Sequence, residues 1–333
     1  MKRVLIVCLR RLGDVLLATP LAYSLRQYDP DIRIDWLVFE QTAGVLSGNP
    51  AADRVFSLPT RTTFFQNIFI CSRLILRYDV AISTQSGDRP SFYARLASLR
   101  AATFSSNANG GRLRDFFFSS VVRSPSRLHE SERVLLMCDA IGINPIHKVL
   151  TPRPSDHALH KFGLFSGSYI VIHPGAAFAY KRWNKEAWRQ LIGHSKDRGF
   201  QVVVTGGGSQ EEKSYLDNLL SGSSILRLDG CLSWNELAEV LEGARACVVV
   251  DTSVAHLAAA LAVPGVAIFG PTDPVVWAPR SSTPKRILAV VQNTQGCVPC
   301  QEEGCERHQQ SRSECLDTLG IDKVWPLLET HLG

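Results

Sequence analysis

Short runs of β-branched and other apolar residues recur along this chain, and most are followed by a stretch of helical length and pattern. VLIVCL (4–9) leads into DVLLATPLAYSLRQY (14–28), then IRIDWLVF (32–39), RVFSL (54–58), a helix near 64–77 and DVAIST (79–84). Strands apolar on both sides must be buried on both sides, so their alternation with helices predicts a doubly wound parallel sheet. Residues 100–128, with SSNANGGRLRD inside them, break the pattern and are expected to be irregular; a helix is expected over 130–141. Pro145, Pro152 and Pro154 then punctuate a stretch without periodicity. The alternation restarts at YIVIHPG (169–175). It runs on through helix 185–198, QVVVTGGG (201–208), helix 210–220, SILRL (224–228), helix 233–243, ACVVVD (246–251), helix 253–262 and GVAIFG (265–270). One break in one repeated pattern predicts two α/β domains, 1–150 and 169–333, joined by a linker over 151–168. A chain of 333 residues suits two such cores. Two sheets of this class would face a cleft with their strand C-termini, where open α/β sheets bind ligands.

Charge is divided unevenly between those halves. Residues 1–150 carry 19 Lys and Arg against 12 Asp and Glu, whereas 151–333 carry 17 against 19. Seventeen of the first 19 are Arg, which grips carboxylate and phosphate in bidentate fashion. The first half therefore suits an anionic partner, or is simply a solvated basic surface. No nucleic-acid recognition module or aromatic–basic interleaving stands out. No apolar run reaches the roughly 18 residues of a membrane span. Val4 to Leu9 is shorter than the roughly 7 to 15 apolar residues of a signal peptide, so a cytoplasmic protein is expected. Nine cysteines, an odd number, fit reduced thiols better than a disulfide framework.

Five stretches carry chemistry. In RRLGDVLLATP (10–20), Gly13 permits a tight turn after the first strand, and Asp14 either caps the next helix or serves as a general base kept ionised by the helix N-terminus. Arg10, Arg11 and Gly13 beside it are candidate binding contacts. In HPGAAFAYKRWNKEAW (173–188), a loop after a strand presents Lys181 where phosphate would bind, with Trp183 anchoring the loop. TGGGSQEEK (205–213) lets backbone approach a ligand, and Glu211 or Glu212 would meet a ribose hydroxyl or merely stabilise a first helical turn. VVVDTSVAHLAAAL places Asp251 at a strand end, Thr252 and Ser253 at a helix N-terminus that suits an anion, and His256 one turn on; FGPTDP (269–274) would form a neighbouring wall. Finally Cys297, Cys300, Cys305 and Cys315 form a C-x2-C-x4-C-x9-C array with His308 inside it. The four thiols are candidates for a structural zinc ion or remain reduced and unligated. The Asp-x-Asp of YDPDI falls at a turn between helix and strand and is set aside.

In order and content, GDVLLATP, HPG…K-x-W, DTSVAHLAAAL, FGPTDP with Trp277 and Pro279 after it, and the late cysteines resemble the lipopolysaccharide heptosyltransferases, glycosyltransferase family 9. The N-terminal third, LRRLGDVLLATPLAYSL through VLSGNP, looks most like the members that add a branch heptose. The resemblance implies a GT-B fold of two Rossmann-like domains. It implies an ADP-heptose donor on the second, an anionic inner-core lipopolysaccharide acceptor on the first, inversion at the sugar and no required cofactor. Asp14 would deprotonate the acceptor and Lys181 bind the diphosphate. Asp251, Thr252, Ser253 and His256 would hold sugar and phosphates, and Glu211 or Glu212 the ribose. The basic first half would also touch the cytoplasmic face of an anionic inner membrane. Two other readings are a GT-B transferase or epimerase acting on a different nucleotide sugar, and a non-catalytic zinc-stabilised scaffold of envelope polysaccharide assembly.

Overall fold

The computed structural model describes residues 1–105, 117–281, 288–294 and 296–333. It divides into two compact units, Met1–Arg153 and Pro154–Gly333. In the first unit six strands form one parallel sheet: β1 (Arg3–Cys8), β2 (Arg33–Phe39), β3 (Arg54–Leu58), β4 (Val80–Ser83), β5 (Ala101–Phe104) and β6 (Ser120–Val122), in the order β3-β2-β1-β4-β5-β6. In the second unit β7 (Tyr169–His173), β8 (Gln201–Val204), β9 (Leu226–Arg227), β10 (Ala246–Val250), β11 (Gly265–Phe269) and β12 (Leu288–Gln292) pair in parallel in the order β12-β11-β10-β7-β8-β9. Counted from its own first strand, each sheet runs 3-2-1-4-5-6, the Rossmann order. These are the two Rossmann-like sheets of the GT-B class.

The central strands are apolar on both faces. Val4 to Cys8, Tyr169 to His173, Ala246 to Val250 and Gly265 to Phe269 are all buried. The longer helices are α1 (Leu12–Tyr28), α2 (Phe64–Leu74), α3 (Asp88–Ala97) and α4 (Glu130–Ile141), then α5 (Lys185–Asp197), α6 (Gln210–Leu219), α7 (Trp234–Glu242), α8 (Ser253–Ala260) and α9 (Ile321–Glu329). Helix α1 tolerates Pro20 in its interior because its neighbour supplies the missing donor. Pro20 has no N–H to give Leu16, and the Thr19 hydroxyl donates to the Leu16 carbonyl at 2.7 Å. Helix α4 ends on Gly142 at φ 76°, a left-handed cap that glycine adopts without strain. In the second unit Asn184 accepts from Glu186 and Ala187 N–H to start α5. Ser233 and Glu236 form a reciprocal capping box on α7.

The stretch expected to be irregular over 100–128 holds β5 and β6, which extend the first sheet from β4. AATF and SVV are too short and too weakly apolar to announce themselves. SSNANGGRLRD lies, but for Ser105, outside the described residues. Among the described residues no helix is long and apolar enough to cross a membrane.

Candidate functional site

In each sheet the chain reverses direction around the first strand, and the loops at that point gather the candidate residues. In the first unit this is where β1 and β4 lie side by side. Asp14 follows β1 but does not cap α1. Arg11 holds the N-cap position, and Asp14 lies within the first turn, 8% exposed. Gly13 is likewise inside that helical turn and needs no left-handed backbone, which corrects its expected role as a tight turn. Arg10 Nε stands 3.1 Å from Asp14 Oδ1 and Arg10 Nη1 3.4 Å from Glu130 Oε1. Arg133 grips both oxygens of Glu130, at 2.7 and 2.5 Å, and donates to the Thr84 carbonyl at the end of β4. Its guanidinium lies 4.2 Å from the centre of the Phe104 ring.

This chain of two acids and two bases was half visible in the sequence. Asp14 and Arg10 are neighbours along the chain, whereas Glu130 and Arg133 arrive from α4, over a hundred residues away, with no local signal. The helix N-terminus is not the main influence on the Asp14 carboxyl. Burial raises its pKa above the ordinary carboxylate value, Arg10 opposes that, and Glu130 adds to it. A carboxylate with raised proton affinity that still faces an arginine is suited to accept a proton. Arg11 is exposed on the outer side of the same turn.

In the second unit the reversal lies between β7 and β10. Lys181 and Asp251, both expected to meet the donor, come together as an ion pair, Nζ to Oδ2 at 2.6 Å. The Asp251 side chain is almost buried and that of Lys181 one-fifth exposed. Lys181 ends a short turn whose backbone is fixed from outside. Ala179 N–H donates to the Gln309 carbonyl, the Ser313 hydroxyl donates to the Tyr180 carbonyl, and Trp183 Nε1 donates to the Leu319 carbonyl at 2.8 Å. Trp183 is 2% exposed and packs edge-on against Trp188, 5.0 Å between ring centres.

Helix α8 begins right after Asp251. Thr252 is its N-cap residue but makes no side-chain cap, and among the described residues its hydroxyl is buried without a hydrogen bond. The first N–H groups of α8, Ser253 included, have no partner within the helix. His256 is buried one turn along. His173, which the sequence reading did not single out, ends β7 beside Val249. It bonds Thr205 Oγ1 at 2.9 Å, and burial depresses its pKa to about 4, so it is neutral.

The two candidate ribose acids part ways. Glu211 is exposed and pairs with Arg182 at 2.7 Å. Glu212 turns back over the glycine turn; a Cβ on Gly175 or Gly207 would overlap its carboxylate. Asp273, in FGPTDP, is buried and accepts from Val275 N–H as the cap of a short helix.

The four late cysteines, left in the sequence as zinc ligands or as free thiols, are not gathered as a metal site among the described residues. Among the described residues no group of three or more His, Cys, Asp or Glu is arranged to hold a metal ion. Cys297, Cys300 and Cys305 are exposed, while Cys315 turns into the apolar core with Leu316 and Leu319. Burial first, then the three neighbouring thiols, push Cys315 up to about 11. Cys305 Sγ accepts from Glu314 N–H at 3.3 Å.

A profile of glycosyltransferase family 9 (heptosyltransferase) matches residues 116–310, more than half of the chain. The chain belongs to glycosyltransferase family 9. It is a transferase of that family, and the scaffold alternative falls with that membership. Lipopolysaccharide heptosyltransferase 3 of Escherichia coli K12 is 26% identical over 285 residues, 80% of this chain and 82% of that protein. The structure of E. coli heptosyltransferase WaaC with ADP matches at a TM-score of 0.75 and 25% identity, covering 99% of both chains. The structure of WaaC with ADP-2-deoxy-2-fluoro heptose matches at 0.69 and 26% identity, covering 87% of this chain and 93% of that one. Identity does not choose between these two relatives, and both lie within the family.

Proposed function

We propose that this transferase moves heptose from ADP-heptose to the inner core of lipopolysaccharide, with inversion at the anomeric carbon and no metal ion in the chemistry. The half-buried Lys181–Asp251 pair beside the open N-terminus of α8 carries the reading. Departure of a nucleoside diphosphate builds negative charge on its terminal phosphate. A fixed ammonium and a helix N-terminus stabilise that charge in advance of the reaction. Asp251 keeps Lys181 oriented and leaves its remaining N–H bonds for phosphate. Thr252 and Ser253 hydroxyls supply further donors, His256 borders the same helix turn, and Glu212 is favoured over Glu211 for the ribose because Glu211 is already engaged by Arg182.

The acceptor end is read from the first unit. Asp14 takes the proton of the acceptor hydroxyl, the freed oxygen forms its bond to the anomeric carbon, and the bond from that carbon to the diphosphate breaks. Arg10, Arg11 and Gly13 meet the acceptor, whose carboxylates and phosphates suit the Arg-rich half. That half also brings the enzyme to the anionic cytoplasmic face of the inner membrane, where a lipid-linked acceptor is presented. The likeness to WaaC, which binds ADP and a fluoro-heptose analogue of the donor, supports the adenine nucleotide.

Calorimetric titration tests the donor. ADP and ADP-heptose should bind, with UDP at least tenfold weaker, and Lys181→Ala should weaken ADP on the order of tenfold or more, the scale of one lost charge-assisted contact. Tighter binding of UDP would move the function to another nucleotide sugar.

A further inference from the structure

Helix α2 is apolar on the wrong side for a helix that only covers a sheet. Its inward face is Ile70 and Leu74, both buried, with Asn67 and Cys71 half-buried. Its outward face is Phe64, Phe65, Ile68 and Phe69, exposed at 73, 80, 50 and 57%. Of the fourteen strongly exposed large apolar side chains among the described residues, eight fall between residues 64 and 99. Scattered exposed apolar groups need no explanation, but a patch on one helix does. The patch is continuous with a groove of about 1000 Å³ between α2 and α3, lined by Phe64, Ile68, Ile75 and Phe92 with Arg61 and Arg89 at its rim.

The charge around it is predominantly positive, with Asp88 the one acidic residue lining the groove. Residues 60–100 contain six arginines and two aspartates. Arg61, Arg73, Arg77 and Arg100 are exposed, and Arg73 lies over the Phe69 ring at 5.0 Å. Asp79 is spent on the backbone N–H groups of Lys2 and Arg3. Aromatic side chains flanked by arginines are what an interfacial helix presents to an anionic bilayer: the rings enter the headgroup boundary while the guanidinium groups stay with the phosphates. A soluble acidic partner would match the arginines but leave the phenylalanines in water.

Topology adds a position. The groove is bordered by the loop after β3 and by the first turn of α3, the helix that follows β4, and Asp14 follows β1 in the same parallel sheet. Groove and Asp14 therefore open at the same edge of that sheet, the edge of its strand C-termini.

We propose that the outer face of α2, with the groove it shares with α3, is the surface on which this protein docks to an anionic lipid bilayer. It sets the first sheet with its C-terminal edge, and Asp14, toward lipid-linked sugar. This rests on the reading of a lipid-linked acceptor given above.

The test is co-sedimentation of the full chain with vesicles containing phosphatidylglycerol and with vesicles of phosphatidylcholine alone. Wild type should bind the anionic vesicles and release as salt rises. F65S/F69S, which alters only exposed side chains, should partition roughly tenfold more weakly, and R73E/R77E should lose the anionic preference. F65W/F69W should keep binding and show a blue shift of tryptophan emission on vesicles. Serine variants that bind like wild type, or a wild type indifferent to anionic lipid, would overturn the proposal. So would a wild-type dimer that F65S/F69S converts to monomer, since the face would then belong to a second copy. ADP titrations on the same samples keep the two readings apart: loss of vesicle binding with ADP binding intact concerns α2 alone, and vesicle binding without ADP binding faults the donor reading instead.

Discussion

Asp14 is held at a cost to the fold, and that makes its role separable from its structure. Its pKa is raised, so ionising it in the native state is less favourable than in the unfolded chain. The sign follows directly. A raised pKa contributes stability that is fully present below the ordinary value of 3.8 and is lost as pH climbs through the higher native value. At neutral pH the ionised Asp14 is therefore a liability, and Asp14→Asn should melt no lower than wild type while abolishing transfer and leaving ADP binding unchanged. The acid limb of kcat/KM should follow Asp14, with transfer rising as pH passes its raised pKa. Arg10 lowers that pKa and Glu130 raises it. Arg10→Ala should thus move the limb to higher pH and Glu130→Gln to lower pH. A limb that ignores both would mean that another group is the base. In the second unit, Lys181→Ala leaves the Asp251 carboxylate buried without its cation. The expected loss is about 2 kcal/mol, below the usual range for a buried pair because Lys181 is partly wetted; chemical denaturation measures it.

Elements were legible where their residues obey one period and opaque where tertiary contacts decide. The long apolar runs of β1, β7, β10 and β11 and the capped starts of α5, α6 and α7 stand in the sequence. Lys181, Asp251 and Thr252 were visible too, as polar residues arriving at the ends of those runs. The short strands β5 and β6 were not, because a four-residue and a three-residue edge partner carry little pattern of their own. Nor was the separation of Glu211 from Glu212, which depends on Arg182 reaching one and three glycines making room for the other. Gly175→Ala should therefore displace Glu212 and weaken ADP binding with little effect on global stability, read by calorimetry and thermal melts together. The α7 capping box gives a stability test. Glu236 is held at about 2, first by its hydrogen bond from Lys161 and then by Ser233 N–H. A depressed pKa contributes above the ordinary 4.5 and is lost as pH falls toward 2. Glu236→Ala should cost about 1 kcal/mol at pH 7 and progressively less as pH falls from 4.5 through about 2.

On the scale of the whole chain, the same strand order appears twice without any sequence repeat. Each unit brings its candidate residues to the point where its own sheet reverses, Asp14 after β1 and the Lys181–Asp251 pair beyond β7 and β10. Local pattern specified two sheets, and parallel crossovers of fixed hand then set which loops converge. The arginine excess of the first half, read from sequence as suiting an anionic partner or as a solvated basic surface, gathers around α2, whereas in the Asp14–Arg10–Glu130–Arg133 chain two arginines are matched by two acids. Heptosyl transfer with inversion is tested by incubating the wild-type chain with ADP-heptose, a heptose-deficient inner-core acceptor and EDTA, followed by mass and anomeric analysis of the product. One added heptose with the anomeric configuration opposite to the donor's, absent with Asp14→Asn, is the expected result. No transfer in EDTA, or a product that retains the donor's configuration, would contradict it.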